Sequence, residues 1–198
     1  EDGVYKGVVI DYMSQLSLEL GIEISTVPYK WTEALRALKE GETDLCDVFV
    51  NEERAKYFVF TEPIYTLRTI MVAMATKDYQ QSDIQHMRVA TQEGDYANWY
   101  IETFYPKAEL IYVHDVGEGL KLLIEGKTDG VIGDEPVVSY YAGKLGIADK
   151  LETIGTSLYE EPVCLAMPKA KSELVPILNR AIQTINERGQ LEKIQHKW

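Results

Sequence analysis

The sequence predicts an α/β fold built from two similar lobes with mostly parallel sheets. Three observations carry this. Helix-period patterns and short apolar strand patterns alternate along the whole chain. The segment Glu33 to Asp44 recurs as Glu118 to Asp129, identical at seven of twelve positions and offset by 85 residues. Each copy ends in a Gly-x-Thr-Asp turn that leads into an apolar strand and then into the most polar loop of its half.

The elements follow in order. Asp11 is a good N-cap for a helix with Met13, Leu16 and Leu20 on one face, stopped by Gly21. Ile22 to Val27 alternates and predicts a strand. Thr32 caps a helix carrying Leu35 and Leu38, with Gly41 just past its end. Leu45 to Val50 and Thr69 to Thr76 are nearly continuous apolar runs, as buried parallel strands require. Val89 to Thr91 is a strand, and Asp95 caps a helix to Tyr105. Leu110 to Val113 is a strand, Asp115 caps a helix to Glu125, and Gly130 to Gly133 is a strand. A helix from about Pro136 to Lys144, a strand from Val163 to Met167 and an amphipathic helix from Glu173 to Arg188, closed by Gly189, complete the pattern.

Composition narrows the partners. The 198 residues hold 20 Lys and Arg against 32 Asp and Glu, a formal charge of −12. A field of that sign repels phosphate, so nucleic acid and anionic lipid are excluded as partners of the surface as a whole. No apolar run approaches the roughly 18 residues a membrane span needs. No signal peptide is visible at Glu1, and composition fits a cytosolic chain as well as a mature extracytoplasmic piece. Cys46 and Cys164, the two cysteines, each lie in an apolar run and read as buried free thiols, with a disulfide between them left open. His86, His114 and His196 share no metal-ligand spacing, so no metal and no cofactor are expected. Trp99 reads as a core residue, and tyrosines such as Tyr96, Tyr140 and Tyr159 as half-buried surface anchors.

The loops after the two repeats carry opposite charge. The first reads Asp47-Val48-Phe49-Val50-Asn51-Glu52-Glu53-Arg54, the second Gly133-Asp134-Glu135-Pro136. Ligands of open α/β sheets bind outside the carboxyl ends of strands. Arg54 offers a planar fork to a carboxylate, against the alternative of a surface ion pair with a neighbouring Glu. Asp134 offers an acceptor to an ammonium, against the alternative of an N-cap ahead of Pro136.

Further motifs share an order. They are Gly3-x-Tyr5-x-Gly7 with Asp11, Trp31, Glu52-Glu53-Arg54, Phe60-Thr61-Glu62-Pro63-Ile64-Tyr65, Arg88-Val89, Gly94, Gly126-Lys127-Thr128-Asp129 with Asp134, and Gly189-x-Leu191-x-Lys193-Ile194 with Lys197-Trp198. As an ordered set this resembles the extracellular solute-binding proteins of family 3, the amino-acid-binding type II periplasmic fold, including its sensor-domain members. The resemblance implies a two-lobed Venus-flytrap with hinge strands near Met74 to Lys77 and Cys164 to Pro168. Lobe one is then residues 1–75 and 166–198, lobe two residues 76–165. It implies that Arg54 binds the ligand α-carboxylate, Asp134 its amino group, and Trp31 its side chain. It implies also that the loop Gly94-Asp95-Tyr96 opens a helix towards the carboxylate.

This chain departs from the family at Asn51, where a Thr is usual, and at Asp47 and Phe49, where small polar residues are usual. Asp95 and Tyr96 replace a Ser/Thr pair. The carboxylates Asp47, Asp95 and Asp134 around Arg54 favour a ligand with extra positive charge or a small amine. Family members also begin with a strand ahead of the Gly-x-Tyr-x-Gly turn, at which this sequence opens. The resemblance implies an extracytoplasmic, non-catalytic module, monomeric as an isolated domain, that serves a membrane permease. The alternative is a sensor domain attached to a histidine kinase or diguanylate cyclase, to which Phe49 and Asn51 are similar. A dehydratase-like enzyme using Asp47, Glu93 or Asp95 as acid is the third reading.

Overall fold

The computed structural model describes residues 5–197, so Gly3 and Trp198 of the expected motifs lie outside the described residues. The chain divides into two compact units. Unit 1 holds residues 1–29, 33–65 and 162–198; unit 2 holds residues 30–32 and 66–161.

In unit 1, α1 (Val8–Leu20) lies against α7 (Val175–Glu187) and α8 (Gln190–Lys197). Its inner face is Tyr12 and Leu16, both fully buried. The helix starts one turn before the expected cap. Gly7 occupies the N-cap position, and Asp11 sits in the first turn, where its carboxylate meets Lys197 Nζ at 2.6 Å. The same early start is seen in α2 (Trp31–Glu40), which includes Thr32 instead of being capped by it. Strand β1 (Cys46–Phe49) pairs antiparallel with β7 (Tyr159–Pro168), Cys46 opposite Ala166 and Val48 opposite Cys164. The two cysteines are therefore diagonal neighbours on one face of this pair, and both are free. A single short turn of helix, α3 (Glu52–Ala55), follows β1.

Ile22 to Val27, expected as a strand, is irregular, with Ile22 and Val27 exposed. Alternation gives a segment two faces, but a strand also needs a hydrogen-bonded neighbour, and none is paired with this segment among the described residues.

In unit 2, β3 (Arg88–Gln92) lies between β4 (Glu109–Val113) and β5 (Gly130–Asp134), parallel to both. This is the parallel pairing that the alternation implies. Residues 69–72 of the long strand β2 (Phe58–Met74) add an antiparallel edge to β5, and β6 (Leu151–Thr153) pairs antiparallel with the end of β2. Both faces of the sheet are covered, which is why its strands read as continuous apolar runs. Ile70, Val72, Ala90 and Val131 pack with α5 (Val116–Ile124) and α6 (Glu135–Leu145) through Leu120, Leu123 and Val138. Met71, Ala73, Val89 and Ile132 pack on the other side with Ala97 and Ile101 of α4 (Tyr96–Phe104). Helix α5 lies tight on the sheet: a Cβ at Gly119 would sit 3.0 Å from Val131 Cγ1.

The two repeats fold alike locally. Each is a helix, a glycine in the left-handed region (Gly41 φ 78°, Gly126 φ 69°), and a strand, β1 or β5. Each turn aspartate is tied to a cation from elsewhere in its own unit, Asp44 to Lys171 and Asp129 to Arg88.

Candidate functional site

Each unit ends a repeat strand in a charged loop. In unit 1 the loop after β1 is closed on itself. Asn51 caps α3, its Oδ1 accepting from the Arg54 backbone N–H at 2.8 Å. Arg54 Nη1 donates to the Phe49 carbonyl at 2.5 Å, and the residue is only 6% exposed. Arg54 is therefore buried rather than lying on the surface, and its neighbour Glu53 pairs with Lys56. Phe49 is buried beside Val163 on β7.

Asp47, two residues before Phe49, is half-buried, and the Tyr65 hydroxyl lies 3.5 Å from its Oδ2. Burial pushes the Asp47 carboxyl up from its ordinary value, with its own backbone N–H and Tyr65 opposing. Burial first, then the charge of Asp47, pushes the Cys46 thiol up to about 12, so it is inert as a nucleophile at neutral pH.

In unit 2 the loop after β3 turns at Gly94, whose φ of 76° lies in the left-handed region. Its carbonyl accepts from Trp31 Nε1 at 3.0 Å. Asp95 caps α4 as expected, its Oδ1 accepting from Ala97 N–H at 2.9 Å. Tyr96 is buried against Trp99 and Tyr159, with ring centroids 5.1 and 5.3 Å away. Trp99 is half-exposed, not the core residue expected, because it lies on the outer side of α4.

Asp134 ends β5 and immediately precedes α6, yet its side chain makes no capping bond to that helix. It accepts instead from Thr69 Oγ1 at 2.8 Å, across the β2–β5 pair. The half-buried Tyr159 lies at the same place, its hydroxyl pushed well up by burial and then by the charge of Asp95. The nearby Thr69 hydroxyl opposes this, and Asp134 and Tyr96 add to it.

The structure thus brings Gly94 to Trp31, and gathers Asp95, Tyr96 and Asp134 around Tyr159, within unit 2. Arg54, Asp47, Phe49 and Asn51 form a second group within unit 1. Thr69 and Tyr159 are not among the site residues that the sequence points to. A lone Thr in an apolar run and one tyrosine among thirteen carry no signal until strand register sets Thr69 opposite Asp134 and the fold brings Tyr159 beside them. Among the described residues no group of three or more His, Cys, Asp or Glu is placed to hold a metal ion. Among the same residues no helix is long and apolar enough to cross a membrane.

The family model of the bacterial extracellular solute-binding proteins, family 3, matches residues 1–198. The chain belongs to this family. Its architecture is that of the two-lobed type II periplasmic-binding fold. Among curated relatives, the virulence sensor protein BvgS of Bordetella bronchiseptica is 27% identical over 208 aligned residues. That alignment takes in 100% of this chain and 16% of BvgS, so the chain spans about one sixth of that relative's length. The L-cystine-binding protein TcyJ of Escherichia coli is 25% identical, covering 100% of this chain and 76% of TcyJ. Among solved structures, the GluR0 ligand-binding core from Nostoc punctiforme in complex with L-glutamate superposes with a TM-score of 0.86. It is 26% identical, over 98% of this chain and 91% of that one. The relatives similar to this chain therefore include both a binding protein and a sensor protein.

Proposed function

We propose that this chain is an extracytoplasmic module that binds an amino acid or related amine-bearing solute without turnover. The solute's carboxylate is taken by Arg54 and its ammonium by Asp134. The observation that supports this is that the two loops after the repeated strands hold side chains of opposite charge. Arg54 is buried and its guanidinium donates to the Phe49 carbonyl, and Asp134 makes no helix-cap bond and accepts from Thr69. A guanidinium fork suits a carboxylate, and a carboxylate suits an ammonium. The additional carboxylates Asp47 and Asp95 favour a solute with a second positive charge. Trp31, Phe49, Asn51, Gly94 and Tyr96 complete the proposed set. A ligand that engages both groups favours a closed state over an open one, and closure is the output. The leading receiver of that output is a membrane permease, with the isolated module a monomer.

A second reading makes closure the input of an attached signalling domain. The full-length alignment of this chain within a sixth of BvgS favours it. The complete gene separates the two: a transmembrane helix following this segment means a sensor, and a nearby stop codon a free receptor.

The test is a thermal-shift screen against the twenty amino acids, small amines and dicarboxylates. A ligand at 100 times its Kd adds about 2.7 kcal/mol of stability. The expected result is a shift for one ligand class, largest for basic amino acids, and lost in Arg54→Ala and Asp134→Ala. No shift for any compound, or a shift that survives both substitutions, overturns the reading.

A further inference from the structure

We infer that Thr69 is the positioning residue that presents Asp134 to a cationic group. This deepens the amine-binding reading of Asp134 and rests on it.

The position of Asp134 makes the inference necessary. An aspartate directly ahead of a helix, with a proline at the second helical position, is strongly drawn to cap that helix. Asp134 has that position ahead of Glu135 and Pro136, with extended backbone (φ −64°, ψ 133°), and its side chain does not cap. Thr69 lies directly opposite in the β2–β5 register, is 1% exposed, and holds Oδ1 at 2.8 Å. A buried hydroxyl that lost this acceptor would be left desolvated, so the bond is costly to break.

The neighbouring residue sharpens the point. Arg68, one position earlier on β2, pairs with Glu135 and Glu160. Two adjacent β2 residues therefore serve two adjacent acids, Arg68 for Glu135 and Thr69 for Asp134. A hydroxyl orients the carboxylate by one directed hydrogen bond without carrying a charge of its own. Tyr159, whose hydroxyl lies beside Thr69, Asp95 and Asp134, walls the same place with an aromatic ring.

Thr69→Val keeps the shape and removes the hydroxyl, while Thr69→Ser keeps the hydroxyl. Binding of L-arginine, L-glutamine and L-glutamate is measured by calorimetry in both variants. Hydrogen exchange at the Val137 amide, the third helical N–H that a capping Asp134 would engage, is measured without any ligand. The expected result is binding weakened about tenfold in Thr69→Val and restored in Thr69→Ser. Val137 exchange is expected to slow in Thr69→Val, as Asp134 swings onto the helix cap. Wild-type affinity in Thr69→Val overturns the inference and leaves the amine-binding reading standing. If none of the three amino acids binds the unmodified protein, the binding reading fails for these probes. Val137 then decides alone: slowed exchange in Thr69→Val keeps Thr69 as the positioning residue, and unchanged exchange overturns that too.

Discussion

Arg88 and Asp129 are joined by both backbone and side chain. Arg88 N–H and Nε donate to Asp129 Oδ2 at 2.9 and 3.0 Å, and Nη2 donates to Oδ1 at 2.9 Å. The Asp129 N–H returns a bond to the Arg88 carbonyl at 2.8 Å. The pair fixes the turn after the second repeat to the first residue of β3, and so sets where β5 begins beside it.

Asp129 should therefore report on acid stability. The Arg88 side chain holds its carboxyl below the ordinary value, and burial only partly opposes this. A carboxyl lowered by folding stabilises the native state above its unfolded pKa, and that contribution is lost as pH falls through the lowered folded value. Asp129→Ala is expected to lower the melting temperature at pH 7 by about 2–6 °C. The deficit should shrink as the pH falls below about 4. A melting series of both proteins from pH 7 to pH 3 checks this; a deficit independent of pH would count against it.

Asp47 carries the opposite sign. Its carboxyl is raised by burial, so folding disfavours its ionised form. The cost is absent at low pH and grows as pH rises from the unfolded value towards the raised folded one. Asp47→Asn is expected to melt higher than the parent at pH 7 and to match it near pH 3. Differential scanning calorimetry at the two pH values is the check.

The tight seat of α5 and α6 on the unit 2 sheet should tolerate no added carbon at Gly133. A Cβ there would lie 2.8 Å from Val116 Cγ2 and 3.2 Å from Val138 Cγ2. Gly133→Ala is expected to cost about 1–3 kcal/mol by overpacking. In the same core Leu120 is fully buried, and Leu120→Ala should cost about 2–5 kcal/mol. Urea unfolding gives both values, and a neutral Gly133→Ala would show that α5 and α6 shift freely.

Gly94 and Trp31 form one joint. Gly94→Ala places a side chain at φ 76° and 3.2 Å from Thr32 Cγ2. Strain of about 1–2 kcal/mol is expected from the left-handed backbone. Trp31→Phe keeps a ring but removes the donor to the Gly94 carbonyl, at about 1 kcal/mol. The two losses should not add, because either one breaks the joint, and a double-mutant cycle measures that.

Much of this was legible in the linear chain. The repeat gave two helix-turn-strand segments, because a glycine past a helix and a Thr-Asp turn are local devices that act within a few residues. Asp95 and Asp115 cap the helices they precede, for the same reason. The apolar runs at β3 and β5 reflect a sheet covered on both faces. What sequence could not supply was partnership across distance. Ile22 to Val27 has strand-like alternation and no paired neighbour, so it stays irregular. Asp134 has every local reason to cap α6, yet it makes no cap bond and accepts instead from a threonine 65 residues away. Trp31 finds the Gly94 carbonyl across 63 residues, and Tyr159 finds its aspartates only where β7 enters unit 2. Helix ends and turns are fixed by bonds within one turn of chain, so sequence determined them. Which hydroxyl meets which carboxylate is fixed by strand register, and register is decided only when the sheet and its two packed faces form together.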